Sequence, residues 1–284
     1  MKLYSIEGNR QYLDGGSMFG NVPRALWSRW IEPDERHRIP LACRSMLVQD
    51  LDGKCVLFEA GIGAFFDPKL RDRFGVVDSS HRLLESLRER GCDHADVDAV
   101  VLSHLHFDHA GGLLSAFSEG EESILLFPNA RYIVGREAWE RAENPHPRDR
   151  ASFIPRLQQQ LKESGRLLIL EEDTSEFLGP QVRFSSSHGH TPGMILGEVA
   201  ESVVFCADLI PGRPWVHLPV TMGYDRFPEL LIDEKRAFLE DKVRRGFQLF
   251  YTHDPLCSLS TVELSSAGKF SPVSDRETVD GMTL

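Results

Sequence analysis

At 284 residues and 41% hydrophobic composition, the chain has enough apolar mass for one large core. Its 32 Lys and Arg against 43 Asp and Glu leave a net charge of −11, a surface that repels phosphate backbones and anionic headgroups, so nucleic acid and membranes are not expected partners. No apolar stretch reaches the roughly 20 residues needed to cross a bilayer, and Met1 to Gly16 lacks the basic-then-apolar run of a secretory leader; the expectation is a cytoplasmic protein.

Short β-branched or apolar runs recur along the chain at Ser45 to Val48, Cys55 to Phe58, Ala99 to Leu102, Arg131 to Val134, Leu167 to Leu170, Val203 to Ala207 and Phe247 to Tyr251, and each predicts a strand. Between them, Asp78 to Arg90 predicts a helix, with Asp78 or Ser79 as cap, Leu83, Leu84 and Leu87 on one face, and Gly91 as terminator. Arg150 to Ser164 and Asp233 to Arg245 read the same way. Strands alternating with amphipathic helices, and strands apolar on both faces, predict an α/β layered fold. Glu143 to Arg150 is rich in turn formers and reads as a surface loop bordering a site. Residues 1–257 are expected to form one domain. The run 258–284 is polar without regular apolar spacing, and a loosely packed, partly disordered tail is expected there.

The strongest chemical signal is Ser103-His104-Leu105-His106-Phe107-Asp108-His109-Ala110-Gly111-Gly112, placed directly after the strand Ala99 to Leu102. Four donor side chains fall within six residues. On an extended or turning backbone His104, His106 and Asp108 can converge while His109 turns to a neighbouring point, which suits two adjacent metal ions. A histidine-rich surface loop is the bland alternative, but the cluster follows a buried strand and further donors wait at later strand ends: His188 and His190, then Asp208, then His253. Taken singly, Asp208 reads as a capping residue and His253 as a core histidine; the combination carries the metal reading. Cys43, Cys55, Cys92, Cys206 and Cys257 are scattered, with no Cys-x-x-Cys pair, and read as reduced thiols; Cys257 reads as a structural thiol rather than a ligand.

His-x-His-x-Asp-His, then Gly189-His190-Thr191-Pro192-Gly193, a strand-end Asp and a final His together resemble the metallo-β-lactamase superfamily, and the resemblance implies its four-layer αββα fold. It also implies that His104, His106 and His190 bind one metal, Asp108, His109 and His253 a second, with Asp208 bridging both and His188 left out. The metals are two divalent ions, zinc by default, with manganese, iron or cobalt also suited to such ligands. Residues 14–27, 127–130 and 222–228 further resemble the YtnP-type quorum-quenching lactonase subgroup, over roughly residues 10 to 255. Two positions depart from the pattern. Glu59-Ala60-Gly61 stands where the fold commonly has Asp-Thr-Gly, and Pro211 stands where acyl-homoserine lactonases carry a substrate-holding tyrosine, leaving His217 or Tyr224 as substitutes.

The resemblance implies hydrolysis of a small-molecule lactone or ester by a bridging hydroxide, with N-acyl-homoserine lactones first and Asp108 carrying a proton to the leaving group. Met18, Phe19, Trp27, Trp30, Phe65 and Phe66 form an aromatic and apolar set that lines an acyl pocket or lid, or else packs the core or a homodimer contact. Glu59 or Asp254 would orient metal-binding imidazoles. The alternatives are a phosphotriesterase or arylesterase of the same fold, and a non-catalytic metal-binding protein. A nuclease would call for a basic groove, and the acidic chain offers none.

Overall fold

The computed structural model describes residues 1–284, and its architecture is two mixed sheets packed face to face. The first sheet orders its strands β15 (Asp280–Thr283), β1 (Lys2–Ile6), β4 (Ser45–Leu51), β5 (Lys54–Phe58), β6 (Ala99–Leu102), β7 (Arg131–Gly135) and β8 (Leu167–Leu170). The second runs β14 (Phe270–Arg276), β13 (Leu259–Leu264), β12 (Gln248–Phe250), β11 (Val203–Phe205), β10 (Met194–Val199) and β9 (Val182–Ser187). A small third sheet pairs β2 (Gln11–Asp14) antiparallel with β3 (Arg38–Leu41). The helices are α1 (Gly15–Phe19), α2 (Arg24–Trp27), α3 (Pro68–Arg73), α4 (Arg82–Glu89), α5 (Phe107–Ala110), α6 (Arg136–Glu143), α7 (Pro155–Glu163) and α8 (Pro228–Arg245).

The period of two along the first sheet sorts its residues between two layers. Met46, Val48, Val56, Phe58, Ala99, Val101 and Ile133 face the second sheet, and Leu47, Leu57, Val100, Leu102, Tyr132 and Val134 face Leu83 and Leu87 of α4, Trp139 of α6 and Leu157 and Leu161 of α7. On the second sheet a Cβ at Gly197 would collide with Phe58. Its neighbour Glu198 therefore points outward, where it pairs with Lys242 of α8. Helices thus cover the outer face of each sheet, which is the expected αββα order. No helix is long and apolar enough to cross a membrane.

Element ends differ from the sequence reading for identifiable reasons. Helix α4 begins at Arg82 rather than Asp78, because Asn9, distant in sequence, accepts from Arg82 N–H at 3.1 Å and holds the Ser80 carbonyl at 2.6 Å. Helix α8 begins five residues early, with Pro228 preset for a first helical turn. Strand β11 stops at Phe205, since Ala207 turns left-handed with φ 43°. The helix expected over Arg150 to Ser164 is a single turn at Arg150–Ser152 followed by α7.

The largest correction concerns residues 258–284, which form three strands rather than a loose tail. Strand β13 pairs β12, β14 pairs β13, and β15 crosses to the first sheet and pairs antiparallel with β1. Val279 is 1% exposed, and its carbonyl accepts from both the backbone and the hydroxyl of Ser5. Truncation after Glu277 removes that packing and is expected to cost about 2 to 4 kcal/mol. Chemical denaturation of full-length and truncated chains checks this, and equal midpoints would show that the segment is dispensable.

Candidate metal centre

Strands β5, β6, β9, β11 and β12 all end at one rim of the sandwich, and the donor residues sit just past those ends. His104 and His106 follow β6, and His106 opens α5, which carries Asp108 and His109. His190 follows β9. Its turn is fixed by Glu234 of α8, whose carboxylate accepts from the Ser187 hydroxyl and the His188 and Gly189 amides at 2.7 to 3.0 Å. Gly189 must be glycine, since a Cβ there would lie 2.4 Å from the Leu231 backbone. Asp208 follows β11 through the left-handed Ala207, a conformation costing about 1 to 3 kcal/mol that aims the carboxylate into the rim. His253 follows β12.

All seven donors converge. His104 Nε2 lies 3.0 Å from His106 Nδ1, which lies 3.3 Å from His190 Nε2. His109 Nε2 and His253 Nε2 are 3.2 Å apart, and Asp108 lies 3.9 and 3.7 Å from these two nitrogens. Asp208 stands between the groups: Oδ2 is 3.2 Å from His190 and 3.4 Å from His109, and Oδ1 is 3.4 Å from His253. Oδ1 is buried without a hydrogen-bond partner. Buried imidazole nitrogens and carboxylates facing one another at such distances fit cations better than they fit each other, and three overlapping sets could hold one: His104, His106, His190; His104, His109, Asp208; and Asp108, His109, His253.

The electrostatics follow from burial and from Asp208. Burial holds His104 and His106 well below the ordinary imidazole range, and neighbouring imidazoles add to the effect. At His109 and His253 burial, the largest single influence, pushes the same way, but Asp208 together with Asp108 and Glu59 beside His109, and with Cys43 beside His253, outweighs it, and both lie well above that range. Burial would raise Asp208; His109, His190 and His253 together hold it well below the carboxylate range.

Four of the five imidazoles have a polar group behind them, while His106 Nε2 is buried with no hydrogen-bond partner. His253 Nδ1 is 2.7 Å from the Ala42 carbonyl, and His104 Nδ1 is 2.9 Å from the Ser103 hydroxyl. His190 Nδ1 is 2.9 Å from Asp225, a residue that sequence reasoning missed because nothing local ties it to a histidine 35 positions away. Glu59, left-handed with φ 67°, accepts from the Ser103 amide at 2.6 Å and places its other oxygen 3.2 Å from His109 Nδ1. It thus stands beside His109, where an orienting carboxylate would stand. Asp254 does not; it pairs with Arg213 at 2.9 Å and caps the Leu256 amide. Cys257 is buried and bonded to the Leu259 carbonyl, and all five cysteines are free.

A cavity of about 460 Å³ opens over the donors. Leu13, Met18, Phe74, Phe107, Met222 and Tyr224 supply its apolar wall; Arg148 and Asp149, from the loop expected to border a site, line it too, with Ala151 and Ser152 just past that loop. Met18 and Tyr224 therefore reach the cavity as expected. Phe19 and Trp27 do not: they stack on each other at 5.6 Å, Phe19 stacks on Trp215 at 4.7 Å, and this buried pile supports Met18. Phe65 and Phe66 likewise back Phe74 and Phe107. His217 lines a different cavity, of about 600 Å³, with Trp30, Arg213 and Leu256, because it leaves the chain beyond the turn that follows Asp208. His188 turns outward to Glu137.

The model of the metallo-beta-lactamase superfamily matches residues 38–253. The chain belongs to that superfamily. Among its relatives, the N-acyl homoserine lactonase AiiA of Bacillus thuringiensis subsp. kurstaki is 25% identical over 264 residues, covering 89% of this chain and 93% of AiiA. The N-acyl homoserine lactonase AttM of Agrobacterium fabrum is 39% identical over 70 residues, a match that spans only 25% of this chain and 22% of AttM. A probable metal-dependent hydrolase from Staphylococcus aureus superposes with a TM-score of 0.84 at 25% identity over 98% of this chain and 97% of that one. AidC, a dizinc quorum-quenching lactonase, superposes at 0.71 and 22% identity, covering 95% and 93%, a likeness of fold. As a member of this superfamily with such relatives and such a donor cluster, the chain is a metal-dependent hydrolase.

Two outcomes follow. Glu59→Gln keeps an acceptor for Ser103 but weakens the hold on His109, and zinc affinity measured by chelator competition is expected to fall roughly 10- to 100-fold; unchanged affinity would remove Glu59 from the account. Cations entering at His109 and His253 must displace protons from imidazoles raised above their ordinary range. Apparent zinc affinity therefore tightens as pH rises through neutrality, and calorimetry in two buffers of different ionisation heat should record net proton release.

Proposed function

We propose that this chain is an N-acyl-homoserine lactonase holding two divalent cations, zinc by default. His104, His106 and His190 hold the first, Asp108, His109 and His253 the second, and Asp208 is shared. When bound, such a pair supplies a water acidic enough to attack at neutral pH and polarises the carbonyl under attack. The observation that carries the reading is the combination at one rim: a complete donor set beneath a cavity whose wall is apolar. Arg148 is the only lysine or arginine lining the cavity, so the lining favours an apolar tail over a phosphate chain, and the likeness to AiiA along most of both lengths supports a lactone.

The residues divide the work as follows. Leu13, Met18, Phe74, Phe107 and Met222 exclude water and take the acyl chain. Water adds to the lactone carbonyl carbon, the ring C–O bond breaks, and Asp108 carries the water's proton to the departing ring oxygen, giving a hydroxy acid. Tyr224 fills the role left open by Pro211. Desolvation raises its phenol above the ordinary range, which the Ser17 hydroxyl partly offsets, so it stays protonated near neutrality and can donate to the substrate's carbonyl oxygen.

The test compares ring opening of a long-chain N-acyl-homoserine lactone with hydrolysis of a phosphotriester by the zinc-loaded protein. Lactone opening should dominate, vanish in His106→Ala, and fall up to about 100-fold in kcat in Tyr224→Phe, the scale of one lost oxyanion donor. Preferred phosphotriester turnover would replace this reading with the phosphotriesterase one, and turnover of neither with zinc in place would favour a non-catalytic metal-binding protein.

A further inference from the structure

We propose that Asp225 is a positioning residue with two loads: one carboxylate orients His190 and builds the cavity wall, so metal retention and substrate fit depend on the same side chain. This rests on His190 being a metal ligand, as proposed above.

Asp225 is 2% exposed and makes two short contacts in opposite directions. Oδ1 lies 2.9 Å from His190 Nδ1, and Oδ2 accepts the Met222 amide at 2.6 Å. His190 turns Nε2 toward His106 and Asp208, so Nδ1 carries the proton and donates to Asp225. Both partners of Asp225 are therefore donors. A carboxylate satisfies two donors at once; an Asn amide has one acceptor oxygen and must set its NH2 against the other donor.

The turn that carries Asp225 is anchored at both ends. Past it, Arg226 N–H donates to the His190 carbonyl at 3.2 Å and Phe227 N–H to the Gly189 carbonyl at 2.8 Å, fixing the turn to the backbone of the ligand itself. Before it, Met222, Gly223 and Tyr224 are cavity wall. Gly223 donates to the Ser17 carbonyl at 2.8 Å, beside Met18, and accepts from Arg148 Nη2 at 2.8 Å across the cavity mouth. Rotation of His190 away from its metal-facing pose thus pulls on the hydrogen bond that sets Met222, and through Gly223 on both sides of the mouth. Glu59 provides the contrast: its carboxylate faces His109 and accepts from the Ser103 amide, with no hydrogen bond or ion pair to a wall residue.

The test uses the full chain with Asp225→Asn, which is nearly isosteric, beside Glu59→Gln. Three quantities are measured: zinc affinity by chelator competition, amide hydrogen exchange at Met222 and Gly223 with zinc saturating, and KM and kcat at saturating zinc. Asp225→Asn is expected to weaken one of two zinc equivalents roughly 10- to 100-fold, speed exchange at Met222 and Gly223, and raise KM by a larger factor than it lowers kcat. Glu59→Gln is expected to weaken zinc while leaving exchange at those amides unchanged. Wild-type zinc affinity in Asp225→Asn, even with a lowered melting point, would overturn the proposal by reducing Asp225 to a structural role. Weakened zinc with unchanged exchange would also overturn it, because Asp225 would then serve His190 alone. The affinity and exchange readings need no substrate, so a wild-type protein that opens no lactone would sink the proposed reaction without touching this test.

Discussion

Everything at the rim depends on electrostatic balance within one buried cluster. Four imidazoles, two carboxylates and a fifth imidazole point lone pairs into a space a few ångströms across. Such a set is costly to bury on its own and strongly favourable around cations. The fold is arranged to keep it in place: five strands end at one edge, two non-glycine residues take left-handed conformations at Glu59 and Ala207, and carboxylates from three segments stand behind the ring of ligands. The rigid sheets supply position, and the strained turns supply direction.

The convergent donor set was legible in the sequence because metal chemistry imposes local spacing. Alternate donors after a strand, and donors at later strand ends, survive as a pattern without any knowledge of the fold. What stands behind the ligands was less legible. Glu59 was legible as a departure and as one of two candidate orienting carboxylates beside Asp254, and Asp225 and Glu234 not at all, since a carboxylate that orients a histidine needs proximity in space and no fixed separation in sequence. The wall residues divided for a related reason. Met18 and Tyr224 face the cavity while Phe19 and Trp27 stack behind Met18, and composition alone cannot tell a lining ring from a supporting one.

The layered fold and most strands were legible from apolar runs, because burial on two faces writes a continuous signal. The C-terminal strands were not. Strand β14 carries Ser271, Pro272, Ser274, Asp275 and Arg276 at the edge of its sheet, and β15 is Asp-Gly-Met-Thr at the edge of the other. Edge strands tolerate and even favour such residues, since charge and proline discourage pairing with other chains. The cap of α4 by Asn9 was hidden in the same way, being made by a residue more than 70 positions upstream.

The central claim is that one chain holds two cations through a shared Asp208, and elemental analysis of metal per chain tests it most directly. After reloading with zinc and removal of excess, two ions per chain are expected, falling to one or fewer in Asp208→Ala. A ratio of one in the wild type, or a ratio of two undisturbed by loss of Asp208, would contradict the account.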